Sequence, residues 1–238
     1  VYKRQKKTPD WNIAQKGINV RLDPGPGGVS RGHAWMVYDE DTMRVAAAYS
    51  GDSFVDWRGI AFDGSHGTHT SISGDIAFEM PDAPAWQHSR KQSWEDQRII
   101  GRDGRRFGPL PRDWVHYKGL YYHGDKVVVK YTVGENHFLE HPSILDYGDA
   151  PVFVRSFELL SSKDRLVARV APDRSDLAVW IQGSDTVGLR RSEGFVEMVV
   201  EPSQRKRQWH LLVARLDEPS LRGLAGVVQE VDFSRLTG

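Results

Sequence analysis

Two histidines lie three residues apart in "DGSHGTHTSISG" (63–74), namely His66 and His69, with Asp63 close by. Imidazole nitrogen and carboxylate oxygen are both metal ligands, and a His-x-x-His spacing on a strand or loop can contribute to a divalent-cation site. No third ligand stands at a fixed offset, so hydrogen-bonded loop histidines are the simpler reading. A second pair, Asp113 and His116, sits in "RDWVHYKGLYYHG". A carboxylate and an imidazole within reach of each other are the ingredients of general acid–base chemistry. Arg31 and His33 close the stretch "RLDPGPGGVSRGHAW" (21–35), which holds four glycines and two prolines. It lacks the Gly-Lys-Ser/Thr ending of a phosphate-binding P-loop, and no helical pattern follows it. It also lacks the strand-before, helix-after setting of a dinucleotide fingerprint. A corner between two strands is therefore expected there, with Arg31 and His33 available to face a ligand.

Tryptophan is abundant, with eight in the chain. Trp86, Trp94 and Trp114 fall in or beside one irregular stretch, flanked by Asp, Arg and His. A flat indole face stacks on sugar C–H groups while polar neighbours bond the hydroxyls. The competing expectation is that these rings anchor a loop poor in regular hydrogen bonds. Glycoside hydrolysis needs two carboxyl groups at a set separation. Asp56, Asp63, Asp75, Glu79, Asp103 and Asp113 are candidates, but spacing along the chain does not pair them. No G-x-S-x-G nucleophile elbow is present.

The elements that would position such groups are strands. "GLYYHGDKVVVKYTVGENHFLEH" reads as a three-strand meander, with Gly124-Asp125 and Gly134-Glu135 as two-residue hairpin loops. "AWMVYDEDTMRVAAAYSG" reads as a hairpin turning at 39–42. "FVDWRGIAF" and "SISGDIAFEM" add two strands. Residues 152–160, 165–171, 177–183, 195–201 and 208–216 each suit a further strand, and 219–224 a short helix. About a dozen strands with almost no helical period define an all-β class, a large antiparallel β-sandwich. The segment around 81–112, rich in Pro, Gly, Arg and Trp, has no period. A loop of that length usually serves a function or covers something, as a lid, a partner-contact arm or an ordered excursion.

Composition bounds the rest. The 238 residues suit one domain and carry 32 basic and 32 acidic side chains. A neutral total argues against binding nucleic acid through bulk charge. The longest apolar runs are far shorter than the ~20 residues of a membrane-spanning helix, so no membrane span is expected. There is no cysteine, which removes disulfides, thiolate nucleophiles and covalent c-type haem from these residues. No cofactor is expected in this chain. No signal peptide is visible, and the opening "VYKRQKK" suggests a mature form or a fragment of a larger protein.

The stretches "VRLDPGPGGVSRG" and "GPLPRDWVHYKGLY", with the closing "VDFSRLTG", resemble a domain of unknown function from secreted bacterial proteins of the PVC-type haem-binding, dehydrogenase-like group. In that group the domain precedes a β-propeller and a c-type cytochrome module. The resemblance implies a secreted or periplasmic setting, haem on a partner module, and β-propeller and cytochrome c partner domains. No catalytic residue is carried over from it.

The expectation is thus one β-sandwich domain over 1–238. Its function would be non-catalytic binding of carbohydrate or of a partner domain, within a haem-containing dehydrogenase-like assembly. The ligand surface would be formed by Arg31, His33, Trp57, His66, Arg112 and Trp114. The alternatives are a carbohydrate-active enzyme using Asp113 and His116, and a purely structural subunit of a redox complex.

Overall fold

The β-branched run of residues 126–133 and the runs on either side of it do form strands, and the same holds along most of the chain. The computed structural model describes residues 14, 16–58, 70–102, 104–146 and 150–238. The N-terminal strands are β1 (Gly17–Arg21), β2 (Ala34–Asp39), β3 (Val45–Ser50), β4 (Val55–Asp56), β5 (Ser71–Ile72) and β6 (Asp75–Glu79). Next come β7 (Ile99–Ile100), β8 (Arg106–Phe107), β9 (Val115–His123), β10 (Lys126–Val133), β11 (Asn136–Leu145) and β12 (Val152–Leu159). The last strands are β13 (Leu166–Pro172), β14 (Ala178–Gln182), β15 (Val187–Ser192), β16 (Phe195–Val200) and β17 (Arg207–Ala214). Two helices close the chain, α1 (Glu218–Ala225) and α2 (Phe233–Thr237).

The meander forms with the expected loops. Gly124 and Gly134 stand first in their two-residue turns at φ of 64° and 58°, a region that favours glycine. Besides the short β7–β8 pair, two elements depart from expectation, β15 and α2. The arginine-rich "VGLRRS" hides its strand character, and α2 is only five residues long. Of "FVDWRGIAF" only Val55–Asp56 pairs, with Ser71–Ile72; Phe54, Trp57 and Arg58 flank that pair without joining a strand, and residues 59–62 lie outside the described residues.

The strands build three main antiparallel sheets. One is four-stranded (β1-β2-β3-β6), one six-stranded (β14-β17-β12-β11-β10-β9) and one three-stranded (β13-β16-β15). This amends the simple two-sheet picture: the core facing the large sheet is shared by two smaller ones. Met36 and Tyr38 enter it from the first, Phe138, Phe157 and Trp209 from the second, and Met198 and Val200 from the third. Aromatic stacking fills its centre, with Tyr131 on Phe138 at 5.3 Å between ring centroids and Phe157 on Trp209 at 5.2 Å.

Strand parity explains why β12 is buried along its whole length. Side chains alternate between faces, so Phe153, Arg155, Phe157 and Leu159 point into this core. Val152 and Val154 point the other way, under α1, with Leu221 and Ala225. Asp217 caps α1, its Oδ1 accepting from the Ser220 amide at 2.8 Å. Farther along the same outer face Phe233 and Leu236 of α2 cover Val128. The C-terminal tail thus lays two helices on the back of the six-stranded sheet.

The core also holds a charge. The Glu140 carboxylate accepts from Arg155 Nε at 2.6 Å and Arg155 Nη2 at 3.1 Å, and from the phenols of Tyr38 (2.6 Å) and Tyr131 (2.9 Å). Burial first, then the Glu140 charge, pushes both phenols well above their ordinary pKa, so they stay protonated and donate to the carboxylate. Tyr38 lies 102 residues from Glu140 and ties the four-stranded sheet to the six-stranded one.

The segment around 81–112 is irregular, as expected, yet pinned along its length. Trp86 bridges Ala168 of β13, flanked by Gln87 N–H to Val167 O and Arg169 N–H to Ala85 O, both 2.8 Å. Buried Arg98 bonds Asp96 (2.7 Å) and Asp82 (2.9 Å), and buried Arg44 bonds Asp39 (3.2 Å). From this anchorage the two-stranded ribbon β7–β8 emerges with Ile99 77% and Ile100 61% exposed. Neighbouring strand residues face opposite ways, so the ribbon shows solvent an isoleucine on each side.

Candidate functional site

The glycine-rich stretch is the corner between β1 and β2. Asp23 is its hub: Oδ1 accepts from the amides of His33 (2.8 Å) and Ala34 (3.0 Å), and Oδ2 from Arg21 Nε (3.1 Å) and Nη2 (3.0 Å). Arg21 also reaches the carbonyls of Pro24 and Pro26, both at 3.2 Å. Burial alone would raise the Asp23 pKa, but the two backbone N–H groups and Arg21 outweigh it and hold the carboxyl below its usual range. A carboxylate held down in this way stabilises the fold above about pH 4, and that contribution is lost as pH falls through the folded-state value. Asp23→Asn is therefore expected to flatten the acid limb of the stability curve, measured by urea unfolding between pH 3 and 6. An unchanged limb would remove Asp23 from that role.

Arg31 ends a 3₁₀ turn (Val29–Arg31), and both it and His33 are exposed on this corner. The corner docks on the β9–β10 hairpin tip, where the Gly25 amide donates to Asp125 Oδ2 at 3.3 Å. Arg112 and Trp114 precede the opposite end of β9. Nine strand residues separate the two ends by roughly 30 Å at about 3.3 Å per residue. The expected ligand surface therefore does not converge.

Trp114 also departs from expectation. It is 1% exposed, and its indole N–H donates to the Trp86 carbonyl at 2.6 Å. A ring enclosed in this way has no face to offer a sugar. Trp86, Trp35 and Trp209 are buried too. Trp94 lies under Arg169 (4.2 Å) and Trp180 under Arg222 (5.1 Å). Trp57, at the end of β4, is 56% exposed. Anchoring, the plainer reading, accounts for the indoles of the irregular segment.

Asp113 and His116 do not pair. His88 Nδ1 accepts from the Lys91 amide (3.3 Å), so its Nε2 carries the hydrogen and donates to Asp113 Oδ2 at 3.2 Å. That bond holds Asp113 below the usual carboxylate range. His116 Nε2–H instead donates to the Pro111 carbonyl at 3.1 Å. Arg112 is exposed beside them. A buried serine–imidazole bond, Ser156 to His210 Nδ1 at 2.8 Å, joins β12 to β17 beyond substrate reach. Asp63, His66 and His69 lie outside the described residues. Among the described residues no three metal-ligating side chains cluster.

What sequence reasoning missed is a groove on the back of the six-stranded sheet, about 360 Å³ in volume. One cross-strand row makes its floor: Lys130 opposite Leu139, Leu139 opposite Glu158, and Glu158 opposite Gln208. Tyr121, His137, Leu160 and Thr237 of α2 complete the walls. Glu158 is occupied, taking Lys206 Nζ and Gln208 Nε2, each at 2.7 Å. Lys130 Nζ donates to the Tyr121 hydroxyl at 3.3 Å. Alternation in β10, β11 and β12 does tell which residues share this face. That α2 ends beside them is set by the fold.

Fold and groove together define an all-β module with an open cleft lined by both apolar and polar side chains. Residues 36–140, less than half of the chain, match the family model of DUF6797, a domain of unknown function. No curated protein matches. Among solved structures, a heparinase III gene product is similar at 10% identity with a TM-score of 0.36. That alignment covers 84% of this chain and 37% of the other, so the chain spans little more than a third of that protein's length. A likeness of this degree carries no argument about activity.

Proposed function

We propose that this chain is a non-catalytic, extracytoplasmic binding module that takes a saccharide in the groove beside Tyr121. The observation that carries the reading is the groove's make-up. A half-buried phenol, an ammonium, an imidazole and a threonine converge on a recess at the small end of the usual ligand-pocket range of about 300–1,000 Å³. Tyrosine offers a ring face for C–H groups and a hydroxyl for bonding. The separation of Asp113 from His116 weighs against an acid–base hydrolase.

Calorimetric titration with a panel of neutral and acidic oligosaccharides tests the proposal. Binding is expected, and Tyr121→Ala should weaken it at least ten-fold while the melting temperature stays within a few degrees. No binding by any member of a broad panel would overturn it.

A second reading, docking on a partner domain, is favoured by the β7–β8 ribbon. Two exposed isoleucines on an arm anchored by buried Arg98 suit insertion between apolar surfaces of another domain. The resemblance to modules found ahead of a β-propeller and a c-type cytochrome supports partners of those types. Co-elution with such modules, lost in Ile99→Asp/Ile100→Asp, is the expected result. Co-elution that survives the double substitution would place the contact elsewhere.

A further inference from the structure

Resting on the saccharide reading of the groove, we propose that its ligand is an anionic sugar, carrying a carboxylate or a sulfate, and that Lys130 selects it. The argument is a charge count inside the recess. Its one carboxylate, Glu158, is buried and already neutralised by the Lys206 ammonium at 2.7 Å, with Gln208 Nε2 on the same oxygen at 2.7 Å. Lys130, two strands away along the same row, has no acidic partner among the described residues. Its Nζ is held by the Tyr121 hydroxyl at 3.3 Å and lies 5.8 Å from that ring's centre. The phenol orients the ammonium without cancelling its charge. His137, exposed on the same wall, adds a second nitrogen able to bond an anionic oxygen.

The recess therefore presents a positive charge with no counter-charge of its own. Partial exclusion of water by Leu139, Leu160 and Thr237 strengthens its attraction for an anion relative to an open surface. The whole chain is electrically neutral by count, 32 against 32, so the preference is a property of the groove and not of the molecule's overall field. A volume of about 360 Å³ suits a short saccharide, or the end unit of a longer one. Tyr121 would lie against the sugar ring while Lys130 meets its anionic substituent.

The test compares galactobiose with digalacturonate and with a sulfated galactobiose, each titrated into the purified chain at neutral pH. At least one anionic disaccharide should bind ten-fold or more tightly than the neutral one, and the two anionic arms show which group is taken. Raising the salt concentration should narrow the ratio. Lys130→Gln should bring it close to one, and Lys130→Arg should restore it. An unchanged melting temperature excludes a folding effect. Neutral binding without anionic preference, or a preference that survives Lys130→Gln, overturns this proposal and leaves the saccharide reading standing. Failure of all three sugars overturns this proposal, and the saccharide reading falls with it when the broad panel is also silent.

Discussion

Replacing Glu140 by alanine is expected to cost about 3–5 kcal/mol of stability, the usual penalty for breaking a buried ion pair from one side. The substitution strands the Arg155 guanidinium, 5% exposed, without an acid. It also removes the acceptor that, among the described residues, takes the hydroxyls of Tyr38 and Tyr131. Domains of this kind are stable by about 5–15 kcal/mol in total, so the loss takes between about a fifth and the whole of the stability. Denaturant titration measures this as a lowered midpoint with an unchanged slope. The larger part of the loss comes from the uncompensated cation. Tyr38→Phe, which leaves the ion pair whole, should therefore cost only about 0.5–1.5 kcal/mol. Equal losses in the two variants would show that the phenol, and not the charge pair, governs this region.

Trp114→Ala should be almost as damaging, with a loss of about 3–5 kcal/mol. The indole is fully enclosed, its N–H holds the Trp86 carbonyl at 2.6 Å, and the His88 ring packs edge-on against it at 5.2 Å. Deleting it opens a cavity and leaves a buried carbonyl unpaired. It also loosens the irregular segment where Trp86 meets β13. Limited proteolysis should accordingly show faster cleavage between 81 and 112, alongside the drop in thermal midpoint. A variant as stable as the parent would mean that the ring is dispensable packing. Trp57→Ala, at an exposed position, serves as the control and should change stability little.

Much of the fold is legible because strand identity is a local property. β-branched runs, alternation and glycine-led two-residue loops locate β9 to β14, β16 and β17 to within a few residues, and the β1–β2 corner likewise. The stretch "DEPSL" marks α1, with Asp217 as its cap and Pro219 in its first turn. The failures have a common origin. Trp114 reads as a surface ring because its neighbours Arg112 and Asp113 are polar. It is buried because the irregular segment folds back on it: Trp86, 28 residues away, takes its indole N–H and the His88 ring packs against it. Asp113 reads as a partner for His116, but His88 reaches it from across the irregular segment.

The residue pattern by itself dictated an all-β chain, the parity of each strand and the turn positions, since these depend on interactions within a few residues. Which faces meet was settled by contacts spanning up to 140 residues, such as Arg215 with Asp75. The groove is a case in point. Parity puts Lys130, Leu139 and Glu158 on one face, but that face stays open there only because α1 covers one part of the sheet and α2 stops beside another. Short-range patterning chooses the side on which a residue stands. Long-range packing chooses what, if anything, stands over it.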